Sequence, residues 1–186
     1  MMSIKKIALA LTLAVGCTVS AHAASPSANP TVGGAPMLAS KDIVDNAANS
    51  KDHTTLVAAV KAAGLVDTLK GAGPFTVFAP TNAAFDALPS GAVQSLLQPE
   101  NKSKLTAVLT YHVVPGKLDA ATIAAQIKAG GGQAELKTVQ GETLTARAAD
   151  GKVTVTDRKG NAANVTIANV YQKNGVIHVI DKVLMP

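Results

Sequence analysis

The chain has 186 residues, 47% of them hydrophobic and 16% charged, with nine prolines, one cysteine, no tryptophan, two tyrosines and three phenylalanines. Low charge and abundant aliphatics exclude intrinsic disorder, and the length suits one core with appendages rather than two. The formal charge of +5 includes Lys5 and Lys6 of a removable leader. The fifteen basic and twelve acidic residues that remain leave +3 without a basic stripe, and the aromatics do not interleave with Lys or Arg, which argues against nucleic acid as a partner.

Residues 1–6 are short and basic, residues 7–16 are an unbroken aliphatic and small-residue run, and Ala21-His22-Ala23 has small residues at both recognition positions. This pattern reads as a secretory signal peptide over 1–23, cleaved after Ala23. An anchor would need roughly 20 apolar residues, so no transmembrane segment is expected in the mature chain, which would be periplasmic or extracellular. The competing reading is a lipoprotein cleavage point at Gly16-Cys17, leaving a lipid-modified Cys17. Cleavage after Ala23 leaves no cysteine, hence no disulfide and no cysteine-based metal site. Residues 24–40, ASPSANPTVGGAPMLAS, carry three prolines, two glycines and no charge. They read as a flexible linker, because so few apolar groups do not offset chain ordering.

The domain is expected over 41–186. In residues 54–64 the apolar positions Leu56, Val57, Val60 and Ala63 share a helical face, with Gly64 as a stop. Residues 65–69 continue as a short helix, and Gly73-Pro74 breaks the chain. Phe75-Thr76-Val77-Phe78 has the composition of a buried strand, ended by Pro80, and Thr81 or Asn82 caps the helix that follows. Further helices are expected at 91–97, 102–111 and 119–128. Leu105, Val108, Leu109 and His112 keep the i, i+3, i+4, i+7 spacing, which puts His112 on the apolar side or just past the helix end. The last third changes character: Gln140-Gly141, Asp150-Gly151, Gly160-Asn161 and Asn174-Gly175 punctuate runs rich in Val, Ile and Thr, the mark of a β-meander. Residues 176–180 are apolar except for His178, as in a central strand covered on both faces. Helices first and antiparallel strands afterwards, joined by one early strand, make the fold class α+β.

Thr76-Val77-Phe78-Ala79-Pro80-Thr81-Asn82-Ala83-Ala84-Phe85 resembles the first signature of the fasciclin domain. Asn174-Gly175-Val176-Ile177-His178-Val179-Ile180-Asp181-Lys182-Val183-Leu184-Met185-Pro186 resembles the second, and Tyr111-His112 matches the family's Tyr-His pair between them. The motifs fall in the family's order and the resemblance covers essentially all of 41–186. It implies a fasciclin-like fold of two small β-sheets packed at an angle with several short helices on one side. It also implies a non-enzymatic adhesion or interaction module of the cell envelope or extracellular matrix, like single-domain secreted bacterial members, whose partner is a cell-surface protein or polysaccharide. In animal relatives the Tyr-His region is associated with cell binding; the alternative is a core tyrosine and histidine closing a helix. Animal members use an Asp-Ile pair for integrin recognition where this chain has Asn169-Val170. Without the carboxylate there is no acidic donor for the integrin-bound cation, so integrin-type recognition is doubtful.

The residues themselves offer little chemistry. An unpaired imidazole in an apolar strand costs about 1–3 kcal/mol, so His178 is expected to be buried and bonded to backbone or a hydroxyl near the first motif; the sharper reading is a metal ligand or catalytic base. His53 and His112 lie at no helical ligand spacing, and neither an HExxH nor an EF-hand pattern occurs, so no metal or other cofactor is assigned. There is no G-x-S-x-G elbow, and Gly130-Gly131-Gly132 lacks the Gly-Lys-Ser/Thr of a phosphate loop. No catalytic residue is assigned. Partner-binding candidates are Tyr111, His112, Asn169 and Val170, with Lys128 and Lys159 from the wet loops 128–133 and 157–161. A second function reading is a periplasmic binding protein for a small apolar or aromatic ligand, held between helices and sheet.

Overall fold

A computed structural model describes residues 29–149 and 151–186. The expected signal peptide, Cys17 and the start of the linker lie outside the described residues.

Residues 29–40, expected as part of a free linker, lie on the domain instead. Thr31–Val32 (β1) and Ala35–Pro36 (β2) form a small antiparallel pair, turned by Gly33 and Gly34 at positive φ. Val32 and Met37 are 3% and 5% exposed and join the main apolar cluster. The Asn29 side chain extends the attachment, accepting the Tyr171 N–H at 2.9 Å and donating to the Tyr171 carbonyl. Two apolar side chains are too sparse to show a period in the sequence. They are held because Ala79, Val170, Ile177 and Val179 provide an apolar floor for them.

Most helices are short and locally specified. Asp42 caps α1 (Ile43–Asn49) by accepting the Asp45 N–H at 2.8 Å. The helix α2 (Thr54–Ala63) stops at Gly64, whose left-handed φ of 73° a side chain would resist. After α3 (Val66–Lys70) comes β3 (Phe75–Pro80). Thr81 is the cap of α4 (Asn82–Asp86), its Oγ1 accepting the Ala84 N–H at 3.3 Å. Asn82 takes another role: it accepts the Thr55 N–H at 3.0 Å and donates to the Lys51 carbonyl at 2.8 Å, pinning the start of α2. Then follow α5 (Ala92–Leu97), α6 (Lys102–Tyr111), β4 (Val113–Pro115) and α7 (Ala120–Ala129), the last capped by Asp119 on the Thr122 N–H.

The meander comprises β5 (Gln133–Lys137), β6 (Thr143–Ala149), β7 (Lys152–Thr156), β8 (Ala162–Gln172) and β9 (Gly175–Ile180). Hydrogen bonding runs β4-β3-β9-β8-β7-β6-β5, with β3 and β9 parallel and the other pairs antiparallel. The expected small sheets are thus joined through β8, whose start pairs with β7 and whose remainder, with two register shifts, pairs with β9. Bulges bend a strand, and here the sheet curls until its ends meet: the Val139 N–H donates to the Val113 carbonyl at 2.8 Å. As expected, β9 is buried at all six positions.

Alternation along β3 and β9 divides the interior. Val77, Ala79, Ile177 and Val179 face α1, α2 and α6, whereas Phe78 and Ile180 face Leu144, Ala146, Val155, Ala163 and the α7 residues Ile123 and Ile127. Each fully buried Phe, Leu or Ile there contributes ~1.5–3 kcal/mol. This two-sided burial holds the motif residues in place.

Candidate functional site

Tyr111 and His112 end α6 between the two cores, and both are buried, at 0% and 3% exposure. The His112 Nδ1–H donates to the Val108 carbonyl at 2.7 Å, and Nε2 accepts the Leu184 N–H at 3.0 Å. Both nitrogens are therefore spent on tying α6 to the segment after β9. Burial pushes the imidazole pKa down to about 4, against the opposing effect of the Val108 carbonyl. The Tyr111 hydroxyl accepts the Arg158 N–H at 3.2 Å and lies 3.4 Å from the Thr143 carbonyl, and burial raises its pKa.

Asp157 completes the same corner. Its carboxylate accepts the N–H groups of Lys159, Asn161 and Met185 and the Asn161 side-chain amide, at 2.9–3.0 Å. Burial alone would raise its pKa, but these donors outweigh it and the pKa falls. Arg158 pairs with Glu142 at 2.9 Å nearby. The corner is a structural clasp, in which His112, Tyr111 and Asp157 are all occupied by internal partners.

His178 is 1% exposed, stacked on Phe78 with ring centroids 5.6 Å apart, and its Nε2–H donates to the Leu118 carbonyl at 2.8 Å. Its pKa is lowered by burial. This is the expected buried histidine with a backbone partner, though the partner comes from the loop before α7 rather than from the first motif. His53 is buried likewise, with Nδ1 2.9 Å from the Ser50 Oγ. Among the described residues no group of three or more His, Cys, Asp or Glu is arranged to hold a metal ion.

The other sequence candidates separate clearly. Val170 is 1% exposed, within the helix-side core. Asn169 adopts φ 59° in the irregular part of β8, and its Oδ1 accepts the Ala120 N–H at 2.7 Å, fastening the strand to the start of α7. Burial thus removes Tyr111, His112 and Val170 from any contact surface, because the cores close over them. Lys128, in the last turn of α7, and Lys159, in the turn after β7, are exposed. The structure does not bring these six residues to one face as a site. Between helices and sheet the apolar space, bordered by Ile43, Val60, Leu69, Val77, Leu109 and His112, is about 30 Å³. Ligand pockets start near ~300 Å³, so a small apolar ligand finds no room there.

Sequence reasoning passed over Lys70, Lys117 and Lys173, which line an open groove of about 560 Å³. Nothing in their spacing could have linked them; the parallel pairing of β3 with β9 brings them together. No helix among the described residues is long and apolar enough to cross a membrane.

The strand portions of both motifs, Thr76 to Pro80 and Gly175 to Ile180, are buried inside a curled α+β scaffold. The chain belongs to the fasciclin domain family: the family's model matches residues 51–186. It is 56% identical over 144 residues to protein sll1483 of Synechocystis, covering 77% of this chain and 73% of that one. It is 38% identical over 166 residues to immunogenic protein MPB70 of Mycobacterium bovis, covering 86% and 77%. With the cell surface glycolipoprotein MPB83 of the same species it shares 35% over 164 residues, covering 85% and 67%. Among solved structures it is similar to the FAS1 domain pair of the insect cell adhesion molecule Fasciclin I, with a TM-score of 0.70 at 17% identity. That match covers 78% of this chain and 51% of the other, and it bears on the fold alone.

Proposed function

We propose that this protein is an exported, non-enzymatic adhesion or interaction module of the cell envelope or extracellular matrix, acting in the periplasm or outside the cell. The observation that carries the reading is the burial of Tyr111, His112 and His178 together with internal partners for all three. Side chains in that state hold a shape rather than turn over a substrate. The family and the cell-surface relative support the location. Contact with a surface protein or polysaccharide then falls to exposed groups such as Lys128 and Lys159, while Tyr111, His112, Asn169 and Val170 act only through the fold.

The test is attachment of protein-coated beads to the source organism's envelope material over a salt series. Lys128→Glu and Lys159→Glu should weaken attachment, and Tyr111→Phe should leave it intact. Attachment untouched by both loop changes yet abolished by correctly folded Tyr111→Phe would return recognition to the Tyr-His pair.

A further inference from the structure

Segments distant in sequence meet where β3 and β9 begin. The Phe75 N–H donates to the Asn174 carbonyl at 3.0 Å, and the Gly116 N–H to the Pro74 carbonyl at 2.9 Å. The Asn174 side chain donates to the Leu69 carbonyl at 2.7 Å and accepts the Ile43 N–H at 3.1 Å. These bonds fix the ends of α1, α3, β3 and β9 around the 560 Å³ groove, so its walls are set by backbone.

The charged groups of the lining are Lys70, Lys117 and Lys173 against Asp42. Asp42 is already committed, capping α1 and lying 3.6 Å from the Lys70 Nζ, which itself bonds Asp45 at 2.7 Å. Lys117 and Lys173 have no ion-pair partner among the described residues. The Lys117 ammonium sits 5.1 Å from the centroid of the Tyr171 ring, a contact that restrains an otherwise free side chain. The nearby Asp119 carboxylate feels Lys117 without pairing with it, so the groove keeps an excess of cations that the sequence, with its +3 spread along the domain, does not suggest.

We propose that the groove formed by Lys70, Lys117, Lys173 and the Gly71–Pro74 and Asn174–Gly175 backbone binds the carboxylates of an acidic polysaccharide, a polyuronate. This rests on the adhesion reading for the source of such a partner. The lysines are point charges on flexible stems, which can follow separate carboxylates spaced along a chain without a fixed fork geometry. Gly71, Gly73 and Gly175 leave the wall without side chains, and the fold enforces this at two of them. A Cβ on Gly73 would overlap the Asn174 carbonyl, and one on Gly175 the Phe75 carbonyl. Single-stranded nucleic acid would need open aromatic platforms, but Tyr171 carries Lys117. A membrane surface would need apolar side chains to insert, and the lining has no large ones.

The experiment measures binding of purified protein to oligogalacturonate over a salt series, comparing wild type with the double variant Lys117→Ala/Lys173→Ala. The control is Lys61→Ala/Lys104→Ala, which removes equal charge from exposed positions on α2 and α6. The groove variant should bind about tenfold more weakly with a shallower salt dependence, and the control should match wild type. Equal loss in both variants, no binding by wild type, or tighter binding to duplex DNA or to anionic phospholipid vesicles overturns the proposal. Bead attachment separates the two readings. Groove-variant beads attaching to envelope material as well as wild type overturn the groove and spare adhesion. Groove-dependent binding of oligogalacturonate without any bead attachment overturns adhesion and spares the groove.

Discussion

Replacing His112 with glutamine should flatten the pH dependence of stability on the acid side of neutrality. The imidazole is 3% exposed, donates from Nδ1 to Val108 and accepts at Nε2 from Leu184. A second proton would set Nε2–H against the Leu184 N–H with no water to take it. The folded pKa accordingly drops from 6.5 to about 4, through burial, with the Val108 carbonyl and the Asp157 charge opposing. Between those two values the unfolded chain binds the proton and the native protein does not. Stability from this group is therefore complete above pH 6.5, declines as pH falls, and is fully lost near the folded pKa. At ~1.36 kcal/mol per pKa unit the loss is about 3 kcal/mol. His178 and His53 shift in the same direction and add to it. Asp157, lowered in the fold, withdraws its contribution only below the ordinary carboxylate range of ~3.9. Urea unfolding at a series of pH values gives the slope for each protein. Glutamine keeps a donor and an acceptor but does not titrate, so the variant should lose less stability than wild type across this window. Parallel losses in the two would refute the buried neutral imidazole.

His178→Ala removes the bond to Leu118 and the stack on Phe78; it should cost about 1–3 kcal/mol in denaturant titration, and elemental analysis finding a stoichiometric metal lost with it would contradict the structural role. Met37→Ala should cost about 2–3 kcal/mol because the side chain is 5% exposed in the core, whereas a free tether would keep the change within ~0.5 kcal/mol. Intact mass of the exported protein should place its first residue at Ala24, and an acylated species beginning at Cys17 would make it a lipoprotein.

Local chemistry made most of the fold readable before any coordinates. Gly64 stops α2, Thr81 caps α4, and the Gly-containing turns divide the meander, each through interactions spanning a few residues. What the sequence concealed depends on partners more than 100 residues away. Asn46 donates to the Gln172 side chain, Asn174 reaches back to Leu69, and Asn29 pairs with Tyr171. The same distance explains the linker. Its Val32 and Met37 look isolated until the exposed edge of β8 and the floor of Val170, Ile177 and Val179 are in place. His112 was legible as an apolar-side residue from its spacing, but its commitment to Leu184 and that of Tyr111 to Arg158 were not.

At Asn169-Val170 the fold is indifferent to the charge of the first side chain. The Asn169 Oδ1 needs only to accept the Ala120 N–H, which an aspartate oxygen at that place would also do. The amide therefore leaves the anchoring of α7 unchanged while removing the one negative charge a cation-bearing receptor would seek. Its left-handed φ of 59° suits asparagine, and the next side chain, Val170, is 1% exposed and faces the core. On the proposed adhesion reading, Asn169 therefore offers an integrin-type partner no carboxylate, and Val170 offers it no access. Most of both signature motifs is likewise enclosed in β3, α4 and β9, which leaves exposed side chains as the ones free to vary. Lys117, Lys128, Lys159 and Lys173 are such side chains: all four are exposed, so their charges can change while both cores stay packed, and under the proposed function they are where recognition would be tuned.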